Sequence, residues 1–230
     1  MKREALCALL ALMISFPAMA GTPSTYYPST NGGYGNGYRV FLSPASHAPD
    51  RVSCLSSDPL ATENEMAWMN ASSATRGYDL NSLDLNERGW TVQIGSGTNQ
   101  EKVNQANTWG PHIYVSIHSN GAAGGCTTTQ AKGGTWGMYR TNDTNSKNLA
   151  DWFHYWVSPA SPGTNDRSCL ISTCSQYSTL LEMEGSNAHT RAYLEQEYHD
   201  YREGAAWMLN NITWQWRIAA SIDGHYGNPR

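Results

Sequence analysis

The chain has 230 residues, a length that suits one domain large enough to bury a substantial hydrophobic core. Its formal charge is −4, with 15 Lys and Arg against 19 Asp and Glu, and the basic residues form no cluster or stripe along the sequence. This distribution of charge argues against binding to nucleic acid or to an anionic lipid surface.

The first twenty residues have the order of a secretory signal peptide. Lys2 and Arg3 give a positive start, residues 5–16 form an apolar run, and residues 18–20 (Ala-Met-Ala) are typical of a cleavage site. The apolar run is well short of the roughly 20 residues that a transmembrane helix needs. We therefore expect cleavage after Ala20, export to the periplasm or the extracellular space, and no transmembrane anchor.

Export makes the cysteines informative, because disulfides persist in oxidising compartments. Cys7 lies inside the signal peptide, so the mature chain keeps Cys54, Cys126, Cys169 and Cys174. Four cysteines allow three pairings. The short spacing favours Cys169–Cys174, which leaves Cys54–Cys126 as the second bridge. The chain has no C-x-x-C pair, and a metal site built from thiolates is therefore less favoured.

Residues 21–37 are rich in Gly, Ser, Thr, Pro, Asn and Tyr and have no apolar period, which predicts a poorly ordered lead-in to a domain over 38–230. Within that domain, strands and helices alternate. The predicted elements are strand 38–42, a helix from 63 to 77, strand 90–94, helix 100–109, strand 113–118, helix 146–157, strand 179–183 and helix 188–212. This alternation indicates a single α/β domain with a largely parallel central sheet and helices on both faces.

The start of the first helix is predicted from its cap. The segment Thr62-Glu63-Asn64-Glu65 fits a capping box, in which Thr62 is the N-cap and the Glu65 side chain reaches back to it. Glu65 is thereby engaged, whereas Glu63 at the first helical position points out of the helix end.

Three side chains from separate elements form a candidate metal site. His47 follows the first strand, Glu63 opens the first helix, and His118 ends the central strand. Positions of this kind border the ligand crevice at the carboxyl ends of parallel strands. Two imidazoles and one carboxylate, with a fourth position open, are typical of catalytic zinc. Each residue also has an ordinary alternative, as a surface histidine or as an acid facing the helix dipole.

A second carboxylate is expected from the strand at 179–183. Alternation along a strand would place Glu182 and Glu184 on one face. Glu182 lies deeper in the apolar run, where an acid is costly to bury without a charge partner, so we predict it to be the general base. Glu184 is predicted to be a loop acid. His112, at the start of the central strand, is expected to be structural.

The motifs together resemble the zinc-dependent N-acetylmuramoyl-L-alanine amidases. The resemblance runs from about Tyr38 to about Ile212. Its motifs are the strand and loop 40–47, Thr62-Glu63, Ala106-Asn107, Val115-Ser116-Ile117-His118-Ser119-Asn120 and Leu180-Leu181-Glu182. The resemblance implies His47, Glu63 and His118 as Zn²⁺ ligands and Glu182 as the catalytic acid/base. It also implies peptidoglycan as substrate, with hydrolysis of the amide bond between the N-acetylmuramoyl group and L-alanine.

Two departures from the family pattern and two alternatives accompany this interpretation. The segment 43–48 lacks the glycines that usually surround the first ligand, and Met183 follows Glu182 where Gly-Phe is usual.

One alternative is another zinc amidohydrolase or peptidase with the same ligands. The other is a non-catalytic protein that binds the cell wall, for which 9 Trp and 13 Tyr offer stacking surfaces. We expect the protein to be a monomer.

Overall fold

The structure is a computed structural model that describes residues 21–28, 35–55, 61–76, 84–121, 125–129, 132–210 and 214–227. The predicted signal peptide lies outside these residues. The strands are β1 (Ser24–Tyr26), β2 (Arg39–Pro44), β3 (Thr91–Ile94), β4 (Ile113–Asn120), β5 (Trp136–Tyr139), β6 (Arg167–Leu170) and β7 (Thr190–Tyr198). The helices are α1 (Glu63–Arg76), α2 (Asn99–Trp109), α3 (Thr144–Trp156), α4 (Ile171–Cys174), α5 (Leu181–Gly185), α6 (Arg202–Asn210) and α7 (Trp216–His225). Across the described part of the chain, no helix has both the length and the apolar character needed to cross a membrane.

The strands form one sheet in the order β1-β3-β2-β4-β7-β5-β6. Its middle four strands, β3, β2, β4 and β7, are parallel to one another. β1 and β5 run antiparallel to their neighbours β3 and β7, and β6 is parallel to β5. The predicted α/β class with a largely parallel centre is confirmed, and the reversed outer strands make the sheet as a whole mixed.

Alternate residues of the parallel strands serve two separate cores. Val40 and Leu42 of β2 pack with residues of α1, α3 and α7 on one face of the sheet. Phe41 and Tyr114 point to the other face, where their rings stack at 5.5 Å between centroids and contact α2. Helices therefore cover both faces, as expected, and the carboxyl ends of the parallel strands β2, β4 and β7 meet at one edge of the sheet.

Six predicted elements appear with bounds shifted by one or two residues, namely β2, α1, β3, α2, β4 and α3. Thr62 Oγ1 accepts a hydrogen bond from the Glu65 amide at 3.4 Å, as the predicted capping box requires. The expectation of an irregular lead-in over 21–37 is wrong for Ser24–Tyr26. These residues pair with β3 as an edge strand, because the exposed edge of β3 offers them backbone partners.

The predicted strand at 179–183 is wrong, because residues Leu181–Gly185 form the short helix α5. The amides of Met183 and Glu184 both donate to the carbonyl of Leu180 at 3.0 Å, which closes a helical turn. An apolar run of about five residues fits a short strand or one helical turn equally well, so its pattern cannot separate the two.

The predicted helix over 188–212 is also wrong in its first half. Thr190–Tyr198 is the strand β7, and the following helix α6 begins only at Arg202. Since β7 lies between β4 and β5 and is largely buried, it lacks the alternation of a half-exposed strand. The apolar residues that predict this helix recur at helical spacing from Leu194 to Ile212 and so cross the junction of β7 and α6. Ile212 lies outside the described residues.

Both predicted disulfides are confirmed. Cys54–Cys126 joins Cα atoms 5.3 Å apart, and Cys169–Cys174 joins Cα atoms 6.2 Å apart. The first bridge ties the segment after His47 to the segment after β4, which carries His118. It therefore connects the two chain segments from which the predicted histidine ligands come.

The two bridges are expected to differ in their contribution to stability. They span 72 and 5 residues, respectively. On the loop-closure model, replacing Cys54 and Cys126 by Ser lowers the free energy of unfolding by roughly 4 kcal/mol, and replacing Cys169 and Cys174 lowers it by roughly 2 kcal/mol. Urea unfolding of the oxidised protein and of the two double variants measures both values. A larger loss in the Cys169 and Cys174 variant would contradict this ranking.

Candidate metal centre

The three predicted ligands converge at the carboxyl edge of the sheet. His47 Nε2 lies 3.3 Å from Glu63 Oε1, and His118 Nδ1 lies 3.4 Å from the same oxygen. The two ring nitrogens are 3.2 Å apart. The Glu63 and His118 side chains are buried, whereas the His47 side chain is 25% exposed. One side of the cluster is therefore open to the cavity beside it.

The donor atoms fit a zinc ion. Zinc holds nitrogen and oxygen ligands at about 2.0–2.1 Å in a tetrahedron, which places the donors about 3.3 Å from one another. The observed triangle of two nitrogens and one oxygen, with sides of 3.2 to 3.4 Å, matches that requirement. The structure thus brings together the three residues chosen from the sequence, while their role as zinc ligands stays a prediction.

Glu63 is held at the start of α1 by one contact to a loop and one to the end of β4. Its amide donates to the carbonyl of Arg51 at 2.9 Å, and its Oε1 accepts from the amide of Ser119 at 3.3 Å. Burial alone would raise the pKa of Glu63, but the hydrogen bonds and charges of His118 and His47 outweigh burial and hold that pKa well below its usual range. The carboxylate is therefore ionised, as a metal ligand must be.

His47 is fixed in its loop by Asn64. The His47 amide donates to Asn64 Oδ1 at 2.8 Å, and Asn64 Nδ2 donates back to the His47 carbonyl at 3.1 Å. No residue of the segment 43–48 has a positive φ angle, so the glycines missing from this segment are not needed for its backbone.

The other ring nitrogen of His118 faces Glu182. His118 Nε2 and Glu182 Oε1 are 3.0 Å apart, and both side chains are buried. Glu184 points away and pairs with Arg140 at 2.7 Å, with its side chain 40% exposed. The expectation that Glu182 and Glu184 share one face is wrong, because positions two apart on a helix point to nearly opposite sides. Glu182 still lies at the site, and its role as acid/base stays a prediction.

Sequence reasoning missed a further carboxylate, Glu195. In the parallel pair of β4 and β7, Glu195 stands beside His118, and paired positions of this kind project to the same face. Glu195 Oε2 is buried and has no hydrogen-bond partner among the described residues. Burial raises the pKa of Glu195 to about 8, with Glu63 adding to the rise and His118 opposing it.

A recognisable signal for Glu195 exists in the sequence. It is an acid that follows the apolar residues of a strand near its carboxyl end, which is the argument used above for Glu182. Because Glu195 fell inside the predicted helix 188–212, the sequence pattern pointed to Glu182 instead. His112, by contrast, is structural as expected. Its Nδ1 accepts from the Arg39 amide at 3.0 Å, at the opposite end of β4.

The site opens into a cavity of about 600 Å³. Its lining includes His47, Glu63, His118, Glu182 and Glu195, together with Arg51, Asn120, Lys132, Trp136, Asn165, Tyr177 and Tyr198. A cavity of this size is within the range of sites for small ligands, and its walls offer both cations and aromatic faces.

Several solved amidase structures share this fold. The catalytic domain of CwlV, an N-acetylmuramoyl-L-alanine amidase from Bacillus (Paenibacillus) polymyxa var. colistinus, matches with a TM-score of 0.61 at 18% identity, over 84% of this chain and 99% of that chain. AmiC2 of Nostoc punctiforme matches with a TM-score of 0.63 at 15% identity, over 85% and 99%. The N-acetylmuramoyl-L-alanine amidase of Clostridium difficile 630 matches with a TM-score of 0.61 at 18% identity, over 83% and 95%.

The chain therefore has the α/β fold of N-acetylmuramoyl-L-alanine amidase catalytic domains. The resemblance inferred from the sequence motifs is confirmed at the level of the fold. No protein-family model matches the sequence, and no curated protein matches it significantly.

We expect one zinc ion per chain, and we expect its retention to depend on the three converging side chains. His118→Ala should abolish retention, and Glu63→Gln should weaken it, because that change removes a charged ligand. Glu65→Gln is the matched control, since Glu65 lies two residues along the same helix turn but is exposed. Elemental analysis after dialysis measures zinc per chain. Full zinc in His118→Ala, or loss in Glu65→Gln alone, would contradict the ligand assignment.

Proposed function

We propose that this protein is an exported, zinc-dependent N-acetylmuramoyl-L-alanine amidase that hydrolyses the amide bond between the N-acetylmuramoyl group and L-alanine in peptidoglycan. The observation that carries the proposal is the zinc-sized triangle of His47, Glu63 and His118. The triangle lies at the carboxyl edge of a sheet with the fold of amidase catalytic domains. The signal-peptide pattern of residues 1–20 and the two disulfides support a location in the periplasm or outside the cell.

Zinc in this position would supply a Lewis acid that lowers the pKa of water toward about 7 and polarises an amide carbonyl. His47, Glu63 and His118 would hold it. The same ligand set serves other zinc amidohydrolases and peptidases, so the choice of bond rests on the fold and requires a substrate assay.

Hydrolysis also requires a group that takes a proton from water and returns it to the leaving amine. Apart from the predicted ligand Glu63, the carboxylates of Glu182 and Glu195 lie beside His118 among the described residues. Glu182 Oε1 lies within hydrogen-bond distance of Ser116 Oγ and His118 Nε2. Burial would raise the pKa of Glu182, but the contact with His118 lowers it to about 2. A carboxylate with so low a pKa is a weak base.

Glu195 has the properties that an acid/base needs. Its Oε2 has no hydrogen-bond partner in the described part of the chain, and its pKa is raised to about 8, near the pH at which it would have to accept and release a proton. The proposal therefore favours Glu195 as the acid/base. Glu182, the residue assigned from the sequence, is the alternative that the experiment must separate from it.

The zinc-loaded protein is expected to release stem peptides with a free L-alanine amino group from purified peptidoglycan. Glu195→Gln should keep zinc and lower kcat by about 10²–10⁴, because only the proton transfer is lost. Glu182→Gln should lose far less turnover at saturating zinc. Mass spectrometry of the products, with zinc content and kcat for each variant, measures these effects.

Two results would contradict parts of this proposal separately. Products cut within the stem peptide, with the N-acetylmuramoyl-L-alanine bond intact, would identify a peptidase in place of the amidase. A zinc-replete Glu182→Gln without activity, together with an active Glu195→Gln, would return the acid/base role to Glu182.

A further inference from the structure

We propose that Glu182 is a positioning residue for His118, which it orients with Nδ1 toward the metal and Nε2 away from it. A hydrogen bond from Ser116 holds Glu182 in place, and the charge of Lys102 favours its ionised form. This inference rests on the zinc site of the proposed function, and it concerns how that site is kept in its binding geometry.

The geometry around the imidazole separates its two nitrogens. Nδ1 of His118 lies 3.2 Å from His47 Nε2 and 3.4 Å from Glu63 Oε1, so it belongs to the donor triangle. Nε2 lies 3.0 Å from Glu182 Oε1 on the other side of the ring. A carboxylate that accepts the Nε2 hydrogen fixes the tautomer in which Nδ1 carries the lone pair for the metal, and it makes that nitrogen more basic.

The plane of the ring is fixed by Tyr193. The two rings stack with centroids 4.5 Å apart and planes 23° apart. Tyr193 lies on β7 and pairs with Ser116 of β4. Ser116 in turn lies two residues before His118 on the same strand. The ring of His118 is thus held on its face by β7 and at its Nε2 edge by α5.

Glu182 is itself held from β4. Ser116 Oγ lies 3.2 Å from Glu182 Oε1, the same oxygen that faces His118 Nε2. Ser116 and His118 are two positions apart on the strand and so project to one face. Glu182 therefore contacts two neighbouring side chains of the same strand face, which leaves it little freedom to rotate.

Lys102 is a buried cation whose charge interacts with that of Glu182. It lies on α2 and is 1% exposed, and its Nζ donates to the carbonyl of Pro44, at the end of β2. Burial lowers the pKa of Lys102 to about 8, while the charge of Glu182 opposes this fall. A buried ammonium and a buried carboxylate are each costly alone, and each offsets part of the cost of the other.

A hydrogen bond and a charge interaction link Lys102 to the surroundings of both histidine ligands. Through Pro44 it contacts the chain segment that leads to His47, and through the charge of Glu182 it acts on the partner of His118. Of the two acids on α5, only Glu182 takes part, since Glu184 is paired with Arg140 near the surface.

The experiment measures zinc affinity by competition with a chelator of known affinity, without peptidoglycan. Glu182→Gln keeps the shape of the side chain and removes its charge, and Glu182→Ala removes the contact altogether. Loss of such a carboxylate behind a histidine ligand typically costs about 10–100-fold in metal affinity. We expect a weakening of about 10-fold for Glu182→Gln and about 100-fold for Glu182→Ala.

The matched control is Glu184→Gln, which removes one carboxylate charge from the same short helix and is expected to leave zinc affinity unchanged. Cobalt substitution gives a second readout. The visible absorption bands of the Co²⁺ protein should shift in both Glu182 variants and stay unchanged in Glu184→Gln, because only the former alter the donor strength of His118.

Unchanged zinc affinity and an unchanged Co²⁺ spectrum in both Glu182 variants would overturn the inference. The same holds if Glu184→Gln weakens zinc as much as Glu182→Gln does. Circular dichroism identifies a misfolded Glu182→Ala, and the nearly isosteric Glu182→Gln then decides. If the wild-type protein fails to cleave peptidoglycan, the proposed function fails, while the zinc affinities still decide the role of Glu182.

Discussion

The buried charge of Glu63 is the feature on which this site depends. A carboxylate in the interior is costly unless opposite charge or hydrogen-bond donors face it. His47 faces the carboxylate from the loop after β2, and His118 faces it from β4. The amide of Ser119, also in β4, donates to it as well. The helix, the loop and the central strand that carry these residues therefore have to meet at one point, which limits how α1 can pack on the sheet.

A network of buried amides maintains that meeting point. Asn70 of α1 donates to Gln196 of β7 and accepts from Gln215, both at 2.8 Å, and Gln196 donates to the carbonyl of His118 at 3.2 Å. Since an unpaired buried amide is costly, these three hydrogen bonds favour the arrangement in which Asn70, Gln196 and the His118 backbone are in contact. The network ties the helix that begins with Glu63 to the strand that carries His118.

The loop that carries His47 differs from the amidase pattern in its sequence and is held in place by side chains of neighbouring helices. This chain has Ser43-Pro44-Ala45-Ser46-His47-Ala48, without the glycines that usually surround the first ligand, and the loop is held by side chains instead. Asn64 bonds to both sides of the His47 backbone, and Lys102 bonds to the carbonyl of Pro44. The position of the first histidine is thus fixed by contacts from α1 and α2, although the loop sequence has changed.

The sequence by itself determined the features that arise from short segments. A capping box separated Glu63 from Glu65, a polar residue at the end of an apolar strand marked His118, and cysteine spacing gave both disulfides. Only the tertiary structure decided the place of Glu195. Its strand is paired on both edges and largely buried, so the alternation that marks a half-exposed strand is absent, and its neighbour His118 is far away in sequence. Register between strands that are distant in the chain depends on the packing of the whole sheet, and no local pattern carries that information.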